Sequence, residues 1–171
     1  MSISKARREF LAIALASLAV PAIGQTASVT ALRRTVASEV TSLDPQRPTG
    51  TLTREMAAEM FCGLVTVDAL SRLAPGGAQS WNTAKDGLSW TFTVRSGMRW
   101  SDGTPLTAQH YAYSLRRYLE PSTGAPEADR LDAIIGAKDF RFGRTTDVPL
   151  GIEMNSPTQL TLRLTRPDID L

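Results

Sequence analysis

The chain has 171 residues, 42% of them hydrophobic and 21% charged, with a formal net charge of +2. That balance is that of a globular protein and carries no basic surplus of the kind that tracks nucleic acid or an anionic membrane. One cysteine, Cys62, and one histidine, His110, exclude an internal disulfide and a Cys/His zinc cluster.

Lys5, Arg7 and Arg8 precede an apolar run over residues 10–20, and Ala22-Ile23-Gly24 follows as a small-x-small cleavage site. Charged, apolar and small regions in that order predict a secretory signal peptide over 1–24. The run is too short to span a bilayer as a helix, so no intrinsic membrane span is expected. Lys5, Arg7, Arg8 and Glu9 account for the whole formal charge, which leaves the remainder neutral. Arg7-Arg8-Glu9-Phe10-Leu11 is similar to the twin-arginine export motif, which is read by a receptor. No cysteine sits at the cleavage site to take a lipid anchor. A periplasmic destination is expected.

Residues 32–38 read as a strand. Asp44-Pro45 is a turn-forming pair, and residues 46–51 form a loop holding Pro48 and Gly50. Leu52, Met56 and Met60, with Ala57 and Phe61 beside them, have helical spacing, and Gly63 is placed as the C-cap. Cys62 reads as a buried, inert thiol, and Met56, Met60 and Met98 as adaptable core filling rather than a metal site. Residues 64–67 read as a short buried strand and residues 73–81 as a turn.

Trp90, Phe92 and Val94 alternate with Thr91, Thr93 and Arg95, the period of a half-buried strand. Ser96-Gly97 breaks it, and Met98-Arg99-Trp100 begins a second short run. Ser101-Asp102-Gly103-Thr104-Pro105 is turn chemistry: Gly103 can take φ > 0 and Pro105 fixes its own φ. A helix follows, with Thr107 as N-cap, Tyr111, Leu115, Tyr118 and Leu119 on one face, and Pro121 as its stop. Trp90 and Trp100 are both expected to be buried. His110 and Ser114 share a helix face, but no third group completes a nucleophile–base arrangement. No Gly-rich phosphate loop is present. The chain is therefore not expected to be an enzyme or to hold a cofactor.

After a loop at 120–126, residues 127–135 read as a helix and 141–149 as a polar loop. Residues 150–154 and 159–164 read as strands joined by Asn155-Ser156-Pro157-Thr158 in a hairpin. Leu160, Leu162 and Leu164 form one face of it.

Trp90, Phe92, Arg95, Gly97, Trp100, Ser101, Asp102, Gly103, Pro105, Thr107 and Ala108 together resemble the signature of the family 5 solute-binding proteins. These are extracytoplasmic receptors of ABC importers for oligopeptides, dipeptides, nickel and related solutes. Ser38-Glu39-Val40-Thr41-Ser42-Leu43-Asp44-Pro45, the stretch at 73–81, Gly136-Ala137-Lys138-Asp139-Phe140 and Arg166-Pro167 resemble further segments of the family. The resemblance covers most of residues 32–167. His110 and Cys62 stand where the family tends to carry acidic residues, and oligopeptide receptors can carry one in place of Thr49. A carboxylate at position 110 would suit the helix N-terminus, so the cap is expected to be weaker here.

The resemblance implies a mixed α/β (α+β) chain forming the N-terminal part of a two-lobed class II periplasmic-binding-protein fold, its second lobe absent. Residues 1–24 would be the signal peptide, 25–68 the start of the first lobe, 69–157 an extra small α+β domain, and 158–171 a return strand towards the first lobe. It implies a substrate-binding component of an ABC-type oligopeptide import system, with an ABC importer membrane permease as partner. Thr49, Gly50 and Thr51 would face the ligand, largely through backbone groups. Trp90, Trp100, Asp102, Gly103, Pro105 and Thr107 would be structural. Peptide is expected over nickel, because Gly136-Ala137-Lys138-Asp139-Phe140 and residues 38–45 lean to the oligopeptide branch and no metal-ligand cluster is visible. Family members run to several hundred residues, so this chain is expected not to bind solute alone and to expose Leu160, Leu162 and Leu164 on an unfinished sheet. Two alternatives stay open: a non-functional truncated fragment, and a small exported interaction protein that reuses the extra domain as a scaffold.

Overall fold

The computed structural model describes residues 35, 39–40, 42–144 and 148–168. The expected signal peptide, the strand expected at 32–38 apart from Thr35, and the last three residues lie outside these. Met1–Thr35 and Val36–Leu171 are separate units, and the fold below is that of the second.

In chain order the elements are α1 (Thr51–Met60), β1 (Val65–Val67), β2 (Leu73–Pro75), β3 (Ala78–Thr83), β4 (Ser89–Val94), α2 (Ala108–Leu119), α3 (Ala137–Arg141), β5 (Ile152–Ser156) and β6 (Gln159–Arg163). Short 3-10 turns occupy Pro121–Thr123 and Ala128–Leu131. β3 to β6 form an antiparallel sheet in the order β3-β4-β6-β5, and β1 and β2 form a separate two-stranded ribbon. The mixed α/β class expected from the sequence is observed.

The two-residue period of β4 sets the layout. Trp90 lies opposite Leu162 and Phe92 opposite Leu160. Ile152 and Met154 extend those two rows onto β5. Successive side chains in a strand point to opposite faces, so one face is an apolar layer in which Phe92, Val94, Leu160 and Leu162 are buried. The other face is polar: the Thr91 and Thr161 hydroxyls lie 3.1 Å apart, and Thr161 donates to Asn155 Oδ1 at 2.7 Å. α2 packs against β5 and β6. Ala108 and Leu119, at its two ends, are fully buried. Its first amide, on Ala108, donates to the Pro157 carbonyl in the β5–β6 turn at 2.8 Å. The helix is thereby seated on the sheet at its very start.

Several expectations are corrected. Leu160, Leu162 and Leu164 are not an exposed face but are 0%, 4% and 3% exposed, because α2 and the segment around Ile134 cover them. The boundary expected between 157 and 158 falls inside the β5–β6 hairpin, and the one between 68 and 69 inside the β1–β2 hairpin. The unit built around Trp90 therefore continues through Arg163. Residues 127–135 form no α-helix: Glu127 and Gly136 both have positive φ, and Ile134 bridges Leu164 while the Ile135 amide donates to Arg163. Within residues 73–81, Leu73–Pro75 and the start of β3 from Ala78 are strand, and only Gly76-Gly77 between them is a bend. α1 ends at Phe61 in extended backbone, not at Gly63. β1 is exposed along most of its length. Met60 and Cys62, expected inside, are both exposed.

Trp90 is partly buried and stacks on Phe92, but Trp100 is 40% exposed. The turn that carries it stands out as a tight bridge between Arg99 and Pro105, leaving its indole edge-on to the His110 ring at 5.6 Å. Trp100→Ala is accordingly expected to cost only about 1 kcal/mol in a denaturant titration, well short of the loss on emptying a buried aromatic site.

Candidate functional site

The segment leading into α1 is organised by short-range polar contacts. The Asp44 amide donates to Ser42 Oγ at 3.1 Å, the Gln46 amide to Asp44 Oδ1 at 3.0 Å, and the Arg47 amide to the Asp44 carbonyl at 3.1 Å. An aspartate accepting from the backbone two residues on, followed by proline, is an ordinary way to fix such a turn.

The turn is then tied to α2. Arg117 donates to Asp44 Oδ2 at 2.6 Å and Oδ1 at 3.0 Å, and to Gln46 Oε1 at 2.7 Å. Gln46, itself 8% exposed, donates from Nε2 to the Ser114 carbonyl at 2.7 Å and to its hydroxyl at 2.9 Å. Ser114 and Arg117 are three residues apart on one helix, which puts both on the face that meets the turn. The Arg117 hydrogen bond is the main cause that holds the Asp44 carboxyl below the usual carboxylate range, against the opposing effect of burial. Arg117 is raised in turn, chiefly by Asp44. A depressed folded-state pKa gives stability that is present above the ordinary aspartate range and is lost as pH falls through the depressed value. Acid titration of the parent should therefore show a loss of stability on the acid side of the normal aspartate range. Asp44→Asn should flatten that limb, as read by urea unfolding at stepped pH.

Thr49, Gly50 and Thr51 follow directly. All three are exposed; Thr51 is the first residue of α1, Gly50 its N-cap, and Thr49 precedes it. Gly50 is the N-cap, in extended backbone, with no side-chain capping bond. Its carbonyl accepts the Arg54 amide at 3.1 Å, the first helical bond. The first amides of a helix have no partner within it and carry a partial positive charge. The Thr49 and Thr53 hydroxyls lie 3.3 Å apart. Beside this stretch is an open cleft of about 350 Å³ whose lining includes Pro45, Pro48, Arg54, Ala57, Tyr118 and Pro126. Glu127 pairs with Arg54 at 3.3 Å at its rim. Thr49, Gly50 and Thr51 flank the cleft in sequence but do not line it.

The residues expected to be structural lie elsewhere; none of Trp90, Trp100, Asp102, Gly103, Pro105 and Thr107 lines this cleft. Asp102 accepts the Thr104 amide at 2.8 Å and its hydroxyl at 2.7 Å, and those donors hold its carboxyl below the usual range. Gly103 has φ +86°, which side chains rarely tolerate. At the α2 N-terminus the Thr107 amide donates to His110 Nδ1 at 3.1 Å. The imidazole thus fills the acceptor role of the acidic residue without supplying its charge. His110 faces Thr107 while Ser114 takes the Gln46 amide, so the two form no nucleophile–base pair.

Sequence reasoning did not find the contact among Gln46, Ser114 and Arg117. They meet across 68 and 71 residues, and no local pattern reports a contact at that range. Among the described residues, no three His, Cys, Asp or Glu side chains gather as a metal site, and no helix is long and apolar enough to cross a membrane.

Residues 72–170 match the family described as bacterial extracellular solute-binding proteins, family 5 Middle. The periplasmic oligopeptide-binding protein OppA of Escherichia coli is 37% identical over 150 residues, which is 86% of this chain and 27% of that protein. A dipeptide-binding protein of Lactococcus lactis subsp. cremoris is 33% identical over 156 residues, covering 91% of this chain and 28% of its own. The crystal structure of Haemophilus influenzae OppA in complex with the peptide RPPGFSPFR superposes with a TM-score of 0.70 at 33% identity, over 75% of this chain and 25% of that one. The Escherichia coli murein tripeptide binding protein MppA gives 0.72 at 32% identity, over 78% and 26%. The chain spans about a quarter of the length of the curated relatives it matches.

Proposed function

Because the chain belongs to the bacterial extracellular solute-binding proteins of family 5, we propose that it forms part of the peptide-receiving component of an ABC importer. The observation that carries this is two matches over most of the chain: it shares sequence with proteins named for oligopeptide binding and superposes on one solved with a peptide. The relatives described above are binding proteins, not enzymes.

In this reading Thr49, Gly50 and Thr51 supply part of one wall of the peptide site. Exposed amides at the start of a helix suit peptide carbonyl oxygens or a carboxylate, because they are donors at a partially positive end. The segment from 25 begins the first lobe, and the four-stranded unit is the extra domain inserted in it. The partner is the importer's membrane permease. The destination is the periplasm, reached with residues 1–24 as signal peptide and by the twin-arginine route. Peptide is preferred to nickel because several relatives are named for peptides and, among the described residues, no ligand cluster would hold a metal.

The test is a transplant. Residues 42–168 replace the matching segment of the Escherichia coli relative, and the chimera is titrated with oligopeptides. Peptide binding should survive, and Thr51→Pro in the chimera, which removes one amide of the wall at the first helical position where proline is tolerated, should weaken it. A folded chimera that binds no peptide overturns the reading.

A further inference from the structure

We propose that Arg117 is a positioning residue for the peptide wall: from α2 it fixes the path of residues 44–50, so that the wall is carried by the four-stranded unit. The proposal rests on the reading of Thr49, Gly50 and Thr51 as that wall. Arg117 directs its hydrogen bonds to the turn before them. It acts through Asp44 and Gln46, which it holds with three hydrogen bonds of 2.6, 3.0 and 2.7 Å.

The anchoring runs in one direction. The Arg117 side chain leaves a helix whose end at Leu119 is fully buried against the sheet unit, so its base is fixed. Among the described residues α1 packs extensively against no other helix or strand. Its ion pair from Arg54 to Glu127, at 3.3 Å, joins two exposed groups, 54% and 41% accessible, and exposed pairs of that kind contribute little. The Asp44–Arg117 pair is better shielded, at 25% and 34% accessible, and reaches Asp44 with two parallel bonds. A planar guanidinium fork can span both carboxylate oxygens and the Gln46 amide oxygen at once, and a lysine ammonium cannot reproduce that geometry. Gln46 completes the strap by gripping the Ser114 carbonyl one turn earlier on the same helix.

The test is amide hydrogen exchange, followed by NMR on the full chain without peptide. The reporters are the amides of Gln46, Arg47 and Arg54, which donate to Asp44 Oδ1, the Asp44 carbonyl and the Gly50 carbonyl. The controls are the ladder amides of Phe92 and Leu160 in the sheet. In Arg117→Ala the three reporters should exchange about tenfold faster or more, the scale of losing charge-assisted hydrogen bonds, with the controls changed by less than about twofold. Arg117→Lys should fall between parent and alanine variant, since it keeps the charge and loses the fork. Unchanged reporters in Arg117→Ala would overturn the proposal, because Gln46 and Ser114 would then hold the loop alone. Equal acceleration at Phe92 and Leu160 would overturn it too, by making Arg117 a support of the whole fold. Since no peptide enters the measurement, a failed strap and a failed peptide reading give separate results.

Discussion

Leu160→Ala is expected to lower the unfolding free energy by about 2–5 kcal/mol, the range for emptying a fully buried leucine site. Leu160 is 0% exposed and lies on β6, one of the two inner strands of the sheet. Phe92 faces it across one ladder and Met154 across the other. α2 also packs against β5 and β6, so the deleted atoms would leave a cavity walled by a sheet and a helix together. Such a site cannot easily collapse. Folded domains hold only about 5–15 kcal/mol in total, so this one substitution removes a large share. Met154 provides the internal comparison. It occupies the same cross-strand row but sits on the edge strand, 49% exposed. Its alanine variant should lose less than about 1 kcal/mol, as surface positions usually do. Urea titration followed by tryptophan fluorescence reads both. A Leu160 variant within about 1 kcal/mol of the parent would show that the apolar layer is not the seat of stability.

The contrast between those two residues also shows which features could be read from the chain. The alternation at Trp90, Phe92 and Val94 and the limits of α2 are local properties. Thr107 and Pro121 mark that helix within a residue or two, and the structure places it at Ala108–Leu119. The hairpin around Pro157 is equally local. The segment at 127–135 departs from the expected helix because Ile134 bridges Leu164 and the Ile135 amide donates to the Arg163 carbonyl. Tertiary pairing outweighed the local pattern there. Trp100 was misjudged for a related reason: a large aromatic is buried only if something covers its turn, and coverage is not written in the turn. The proposed wall residues Thr49, Gly50 and Thr51 rest on resemblance alone. The strap behind them, Arg117 to Asp44 and Gln46, joins parts of the chain that share no periodicity, so only the folded arrangement reveals it.

The 171-residue chain on its own should not retain peptide with useful affinity. Small-ligand sites normally cover most of the ligand's surface, and a two-lobed receptor reaches that cover by closing one lobe on the other. The proposed wall is open: Thr49, Gly50 and Thr51 are all exposed, and the neighbouring cleft of about 350 Å³ is a surface feature beside them rather than an enclosure around them. A peptide laid on such a wall would form a few hydrogen bonds with exposed amides, each worth a net of about 0.5–1.5 kcal/mol against water. Ordering a flexible peptide costs more than that, on the scale of about 0.5–1.5 kcal/mol for each side chain fixed, in addition to the loss of free tumbling. The cleft offers Pro45, Pro48 and Ala57 as apolar contacts, but among the described residues it is open on one side to water. Titration calorimetry of the purified chain with a mixed tri- to pentapeptide library should therefore show no saturable heat, while the transplanted segment in its full-length relative binds. A saturable micromolar response from a monodisperse monomer would sink this expectation, and would make the wall a binding module in its own right.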